Sequence, residues 1–536
     1  MNIIFRQKSG LILILVLITI IIYSNSLKAP FIFDDIHKIV QNPDIKNIKN
    51  IFSKLIYPYN TNDYIYDRND PSRPLIYLSF TLNYYFGGLN TLGYHLVNLV
   101  SHILNSILIF LFILKILYFV NDNYKYKIQV AFLVSLIFAI HPVNVSAVTY
   151  IYSRSDLFST LFYISSILLF LNTVENKNNN LLFLSLICFI MALLSKQIAV
   201  TLPVIIFLTD YIILSNCEIK KVFEKRYYHI GYWLILFIYL ILKYKYLGGI
   251  KDVEAGGSLW NRYSYIIIQP YVILKYLQLL ILPIGLCIDH WIKPPTSIFE
   301  LRILVSVVII LTVFLIGVII FKKSNLKLYL FSGLWFLIVL APTSSIFPTT
   351  SPVVENRLYL AEITFFLLII ISFFCLKSYY TKNRATRYLT VFLIIYLICL
   401  CITTIRRNQI FNDPVILWQD TIKKYPDNYL AYNRLGDSYL ENGQISNAIQ
   451  SYNKSIDIKP DNFVAHINLA LLYDSMKEYE YAIKEYKKVI EINPEYVLAY
   501  IKLAMIYQIK KEYKKSDEFY QQALKIRPDL KLKLRW

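Results

Sequence analysis

Charge is what this chain has least of. Only 17% of its 536 residues are Asp, Glu, Lys or Arg, against about 25% in ordinary soluble domains. With 56% hydrophobic residues and a mean hydropathy of +0.47, a wholly water-soluble protein of this length is excluded. The composition describes a polytopic membrane protein with something soluble attached. Cysteine is scarce too. Cys188, Cys217, Cys287, Cys375, Cys399 and Cys401 lie mostly in apolar runs, and none forms a Cys-x-x-Cys pair. Neither a disulfide framework nor a zinc site is expected. There is no Walker A motif, no Gly-x-Gly-x-x-Gly turn and no Asp-x-Asp of the nucleotide-sugar type. Nucleotide chemistry is therefore disfavoured.

What is present is unevenly spread. Residues 414–536 carry 19 basic and 16 acidic side chains, whereas residues 1–413 carry 36 and 19. The basic excess thus belongs to the apolar part. There it reads as membrane topology and attraction to anionic headgroups, not as a nucleic-acid surface.

Apolar runs fall at about 11–23, 93–119, 128–141, 155–172, 181–195, 198–214, 231–247, 302–321, 328–342, 358–376 and 388–405. They predict about eleven membrane spans. The first reads as an uncleaved signal-anchor. The basic loops at Lys125 and Lys127, Lys177, Lys220 to Arg226, Lys322 to Lys327 and Lys377 to Arg387 fall on one side if the N-terminus is cytoplasmic. Residues 28–92 then form a first external loop. The stretch 264–284 carries Gln269, Pro270, Lys275 and Gln278, and is expected to be an interfacial or re-entrant helix. Eleven spans leave the C-terminal part extracytoplasmic.

That part has a period. Pro426, Pro460, Pro494 and Pro528 recur every 34 residues, the tetratricopeptide spacing. The expected architecture is all-α: a membrane domain over 1–408, then an α-solenoid over 409–536. The solenoid divides into a half-repeat, 409–428, and repeats at 429–462, 463–496 and 497–530. Small residues at Gly436, Ala470 and Ala504 let helices touch, and Tyr452, Tyr486 and Tyr520 fill the gaps. Partner binding on the concave face is a separate expectation from this packing role.

The first external loop opens with Asp34-Asp35 close to a span. One carboxylate could act as a general base, worth ~10²–10⁴-fold, or both could simply cap a turn. The loop also holds Arg68, Asp70 and Arg73, then an aromatic surface helix over 75–88. The next span carries His95, Asn98, His102 and Asn105 on one face, suited either to a wet cavity or to interhelical hydrogen bonding. His141, Arg154, Asp156, Lys196, Glu355 and Arg357 lie at other external ends. Cations beside a carboxylate pair point to a lipid-borne phosphate.

These residues carry a family resemblance. FIFDDIHKIVQNPDI (31–45), SRPLIYLSFTLNYYFGGLNTLGYHLVNLVSHILN (72–105), FAIHPVNVSAVTYIYSRSDL (138–157), LLSKQIAVTLPVIIFLTD (193–210) and SPVVENRLYLAE (351–362), followed by the repeats, resemble the transmembrane and tetratricopeptide-repeat O-mannosyltransferases of the GT-C glycosyltransferase class. The resemblance implies transfer of a sugar such as mannose from a polyprenyl phosphate to a Ser or Thr hydroxyl of a protein. It implies a base at Asp34 or Asp35. It places phosphate-binding cations at Arg357, Lys196 and Arg73. His95, His102, His141, Arg154, Asp156 and Glu355, from their places in the spans and external ends, are expected to line or position the cavity. Two departures stand out. Asn356 separates Glu355 from Arg357, and Gln197 rather than an acid follows Lys196. The donor is a substrate and not a cofactor, and no residue set indicates a metal. Expected partners are the lipid-linked sugar, membrane lipid and a protein acceptor held by the repeats. A bacterial inner membrane is favoured over the endoplasmic reticulum. Two rival readings remain: a membrane-anchored scaffold without activity, and a transporter of lipid-linked sugar. The transporter would call for mid-membrane charges and duplicated spans.

Overall fold

The computed structural model describes residues 2–47, 70, 72–121, 124–246, 260–320, 326–344, 348–349, 351–379 and 384–528. Expectations resting on Arg68, Lys322, Lys323 and Lys382 concern residues outside that set. The chain divides into two compact units, Met1–Asp413 and Pro414–Trp536. Every regular element among the described residues is helical. The expected boundary at 408 lies within a helix that runs on to Phe411.

The principal helices of the first unit are α1 (Asn2–Tyr23), α2 (Pro74–Gly87), α3 (Thr91–Val120), α4 (Lys127–Ile140), α5 (Arg154–Asn176), α6 (Asn179–Leu193), α7 (Leu202–Thr209), α8 (Arg226–Tyr246), α9 (Arg262–Ile281), α10 (Leu301–Ile320), α11 (Leu326–Leu340), α12 (Leu358–Tyr379) and α13 (Arg384–Phe411). Among the described residues, seven helical segments are long and apolar enough to cross a membrane, or eight counting Lys127–Ile140 with the bent continuation Pro142–Val148. Hydrocarbon cannot satisfy backbone polar groups, so helices are the natural form for such runs.

Contacts between helix ends show how the chain alternates. At one end of the bundle, Asn408 Nδ2 donates to Ile22 O at 3.1 Å, His95 Nε2 lies 3.0 Å from Ala29 O, and Lys196 Nζ donates to Asp156 Oδ1 at 2.6 Å. Asn356 Nδ2 donates to Ser153 Oγ at 3.0 Å at that same end. At the opposite end Lys115 pairs with Glu175, Tyr126 stacks on Phe374 at 4.9 Å, and Lys327 Nζ donates to Asn216 Oδ1 at 2.8 Å.

Helix α9 does not follow this alternation. Near its start Tyr265 donates to Thr343 O at 2.6 Å. Near its end the Leu280 carbonyl lies 3.2 Å from His141 Nε2, and Ile281 O accepts from Tyr396, midway along α13. The chain then turns back, so that the backbone of Cys287 and the ring of His290 reach Glu355. Length and composition alone would let α9 cross, but both its flanks return to the same end of the bundle.

The second unit contains α14 (Pro414–Lys424) and three helix pairs, α15/α16 (Tyr429–Glu441, Ile445–Ile458), α17/α18 (Phe463–Ser475, Tyr479–Ile492) and α19/α20 (Val497–Ile509, Tyr513–Ile526). Asn428 caps α15 by accepting the Ala431 N–H at 3.1 Å. A Cβ on Gly436 would stand 2.5 Å from the Tyr452 ring, so the missing side chain is what lets α15 and α16 approach. Ala470, Ala482, Tyr486, Ala499 and Leu503 are fully buried and join neighbouring pairs into one core.

Candidate active site

The acidic loop is shaped by one residue in a left-handed conformation, Phe33 (φ 52°). Such a φ is uncommon for an aromatic residue, and here it turns two consecutive carboxylates into different surroundings. Asp35 is fully buried, and both its oxygens are occupied. Oδ2 accepts the Ile32 N–H at 3.1 Å and Oδ1 the Tyr152 N–H at 2.8 Å. Burial pushes its carboxyl up to about 8, opposed by those two backbone donors. Asp34 is only partly buried. Its Oδ2 accepts the Tyr150 hydroxyl at 3.0 Å.

The three cations nominated for phosphate come together. Lys196 is held by both oxygens of Asp156, at 2.6 and 2.7 Å. Burial lowers its ammonium below the ordinary lysine value; Asp156 opposes this, while the charges of Arg73 and Arg357 add to it. Arg73 pairs with Asp70 at 2.9 Å. Burial would raise the Asp70 carboxyl, but Arg73 and Ser72 outweigh it and hold it below its ordinary value. Arg357 donates to Pro352 O at 3.2 Å and to Thr349 Oγ1 at 3.1 Å. Asn356 is no mere spacer: its amide reaches Asp156 Oδ2 at 3.1 Å.

The remaining nominated residues serve the scaffold. His102 lies between Tyr359 Oη (2.7 Å) and Ala139 O (3.1 Å). Asn98 bonds Val148 O, and Asn105 bonds Leu157 O and Tyr359. Most of the polar face of α3 therefore joins helices rather than lining a cavity. Arg154 is wholly buried over the Phe80 ring at 4.6 Å, bonded to Asn98, Ser79, Asn83 and Tyr94 O. It clamps α2 and α3 to the start of α5. His141 is buried and spans Leu280 O and Val143 N. Glu355 turns from Arg357 toward Cys287 N, His290 and Arg407.

Three tyrosines escaped the sequence argument. Tyr150 holds Asp34. The hydroxyl of Tyr152 lies 3.4 Å from that of Tyr77, and Tyr77 Oη in turn accepts the Asp70 N–H at 2.9 Å. Tyrosine is abundant, with 46 in the chain, so nothing local singled these out. Among the described residues no group of three His, Cys, Asp or Glu side chains is arranged to hold a metal.

The geometry can abstract a proton at Asp34 and hold an anion near Arg73, Lys196 and Arg357. Protein O-mannosyl-transferase F38B6.6 of Caenorhabditis elegans is 29% identical over 83% of this chain and 62% of its own length. Protein O-mannosyl-transferase TMTC1 of Homo sapiens is 23% identical over 81% of this chain and 54% of its own. The chain's homologues are protein O-mannosyl-transferases. It spans between half and two thirds of the length of these two. Human TMTC3, another protein O-mannosyl-transferase, is 32% identical over 27% of this chain and 15% of its own. Tetratricopeptide repeat models match residues 417–450, 463–496 and 497–530, and a further TPR repeat model matches 436–477. A solved structure of MamA protein aligns at 24% identity over 23% of this chain and 67% of its own, with a TM-score of only 0.21.

Proposed function

We propose that the chain is a membrane glycosyltransferase. It moves a hexose such as mannose from a polyprenyl-phosphate carrier to a Ser or Thr hydroxyl of a protein. The observation that carries this reading is the meeting of a partly open carboxylate, Asp34, with the cations Arg73, Lys196 and Arg357 at one end of an apolar bundle. The names of the O-mannosyl-transferase homologues support it.

Asp34 removes the acceptor proton. The freed oxygen attacks the anomeric carbon, the bond from that carbon to the phosphate oxygen breaks, and the lipid phosphate leaves as an anion. Arg357 and Arg73 stabilise its charge, and bidentate geometry suits guanidinium to phosphate. Lys196 adds a charge that it shares with Asp156. Asp35 does no proton transfer. It secures the loop through Ile32 and Tyr152. The repeats recruit or orient the acceptor protein.

Membranes containing the protein are incubated with radiolabelled polyprenyl-phosphate hexoses, with and without protein acceptors. Label is expected on acceptor Ser or Thr, and failure with every such donor overturns the reading. The basic loops favour a cytoplasmic N-terminus, and with that orientation the alternation of helix ends supports an extracytoplasmic site and extracytoplasmic repeats. Reporter fusions after residues 226 and 430 should report opposite sides; the same side for both would separate repeats from site.

A further inference from the structure

One side chain, Tyr152, is flanked by Tyr150 and its partner Asp34 on one side and by Tyr77 with the Asp70–Arg73 pair on the other. Tyr152 is anchored through its backbone, whose N–H donates to Asp35 at 2.8 Å. Its ring lies 6.4 Å from that of Tyr150, the residue bonded to Asp34. Its hydroxyl faces the other way, 3.4 Å from Tyr77 Oη, which joins the Asp70–Arg73 pair through the Asp70 N–H. The charges of Arg73, Asp70 and Asp34 all act on this one hydroxyl. Tyr150, Ile151 and Ser153 around it are buried, whereas Tyr152 is partly open. Next in the chain come Ser153, which accepts from Asn356, and Asp156, which holds Lys196.

We propose that the Tyr152 hydroxyl contacts the transferred sugar itself, hydrogen-bonding one hydroxyl of the pyranose while the base side and the phosphate side engage its two ends. This rests on the glycosyltransferase reading above and adds to it the residue that reads the sugar. The chemistry suits the task. Tyr77 Oη already accepts the Asp70 N–H, so its proton can be directed at Tyr152. The Tyr152 proton is then left to donate outward to a sugar oxygen. A neutral phenol neither repels the phosphate nor competes with Asp34 for the acceptor proton. A polar group built to meet a substrate hydroxyl also rejects an analogue that lacks it.

The test is Tyr152→Phe in the full-length protein in nanodiscs. This substitution keeps the ring and the backbone bond to Asp35. Two ligands are compared by direct binding: polyprenyl-phosphate mannose and bare polyprenyl phosphate. The variant should bind the sugar-bearing lipid about 3–10-fold more weakly, the range of one neutral hydrogen bond, and bind bare polyprenyl phosphate as the wild type does. In transfer assays the wild type should lose kcat/KM with one particular monodeoxy-mannosyl donor, and Tyr152→Phe should no longer distinguish that donor from the intact one. Equal weakening toward both lipids would make Tyr152 a purely structural residue and overturn the inference, as would unchanged binding and unchanged discrimination. Wild-type protein that binds neither lipid would instead bring down the underlying reading, and this inference with it.

Discussion

The two units of this protein build their polar contacts over very different distances along the chain. In the repeats Tyr452 bonds Asp437 fifteen residues away, and Asn468 reaches the same carboxylate across 31. In the bundle Asp34 meets Tyr150 across 116 residues, Asn356 meets Ser153 across 203, and Asn408 meets Ile22 across 386. A repeat interface recurs and can be rebuilt by its neighbours, so the loss of one contact stays local. The bundle end is a single junction of many segments. Removing one member leaves buried partners unsatisfied, and these cost more than the bond itself contributed.

The sharpest test of this contrast is at the junction. Asp34→Asn should lower turnover by roughly 10²-fold or more while lipid phosphate binding survives, because the cations do not depend on the carboxylate. Single-turnover rates beside a donor-binding isotherm decide it. Near wild-type turnover would remove Asp34 from the chemistry. No comparable single substitution in the repeats should touch turnover on a short peptide acceptor.

Stability sharpens the contrast further. Arg154→Ala strands acceptors on Asn98, Asn83 and Tyr94, each worth about 1–3 kcal/mol when left unpaired in the interior. The whole bundle should melt lower by fluorescence in detergent. Leu469→Ala in α17 empties a buried position, at about 2–5 kcal/mol. It should lower only the transition of the repeats. A bundle transition that moves with Leu469→Ala would break the comparison.

What could be read in advance divides along the same line. Four prolines in register, with Gly436, Ala470 and Ala504 behind them, were enough for the repeats, because each repeat is its own neighbour's template. The apolar runs gave the helices. Resemblance, not spacing, nominated Arg73, Lys196 and Arg357 as a set. Which of Asp34 and Asp35 is buried and which is partly open was out of reach, because it depends on the left-handed turn at Phe33 and on partners at 150 and 152. The stripe His95, Asn98, His102, Asn105 fitted cavity and glue equally well until Tyr359, Val148 and Leu157 were seen opposite it.

Acidity gives a smaller effect that belongs to the bundle alone. Asp35 holds its proton up to about 8, because burial disfavours its charge. Its folded pKa therefore lies above the unfolded value near 4. The native loop binds a proton that the unfolded chain has released, and stability from this source is lost as pH rises through about 8. Ionisation would also set a second negative charge beside Asp34. Turnover at saturating donor should fall several-fold on the alkaline side with a midpoint near that pH, and a flat profile to pH 9 would count against it. Binding of acceptor to the repeats should show no matching step.

The smallest effect is expected where the two units look most alike. Lys502 bonds Asp474 at 2.9 Å, much as Lys196 bonds Asp156 at 2.6 Å. The geometry is similar but the surroundings are not. The side chains of the first pair are 30% and 18% exposed, those of the second 15% and 4%. Water screens the repeat pair, and holding two long side chains in place costs entropy, so such pairs contribute only about 0.2–1 kcal/mol. Lys502→Gln should shift the repeat transition by no more than that, with the shift shrinking as salt is raised. Lys196→Gln removes the ammonium that both oxygens of buried Asp156 hold and leaves that carboxyl the Asn356 amide. It should both destabilise the bundle and weaken binding of the lipid phosphate. If the two substitutions cost the same in a side-by-side melt, burial is not what separates the junction from the repeats, and the contrast between the units fails at its simplest point.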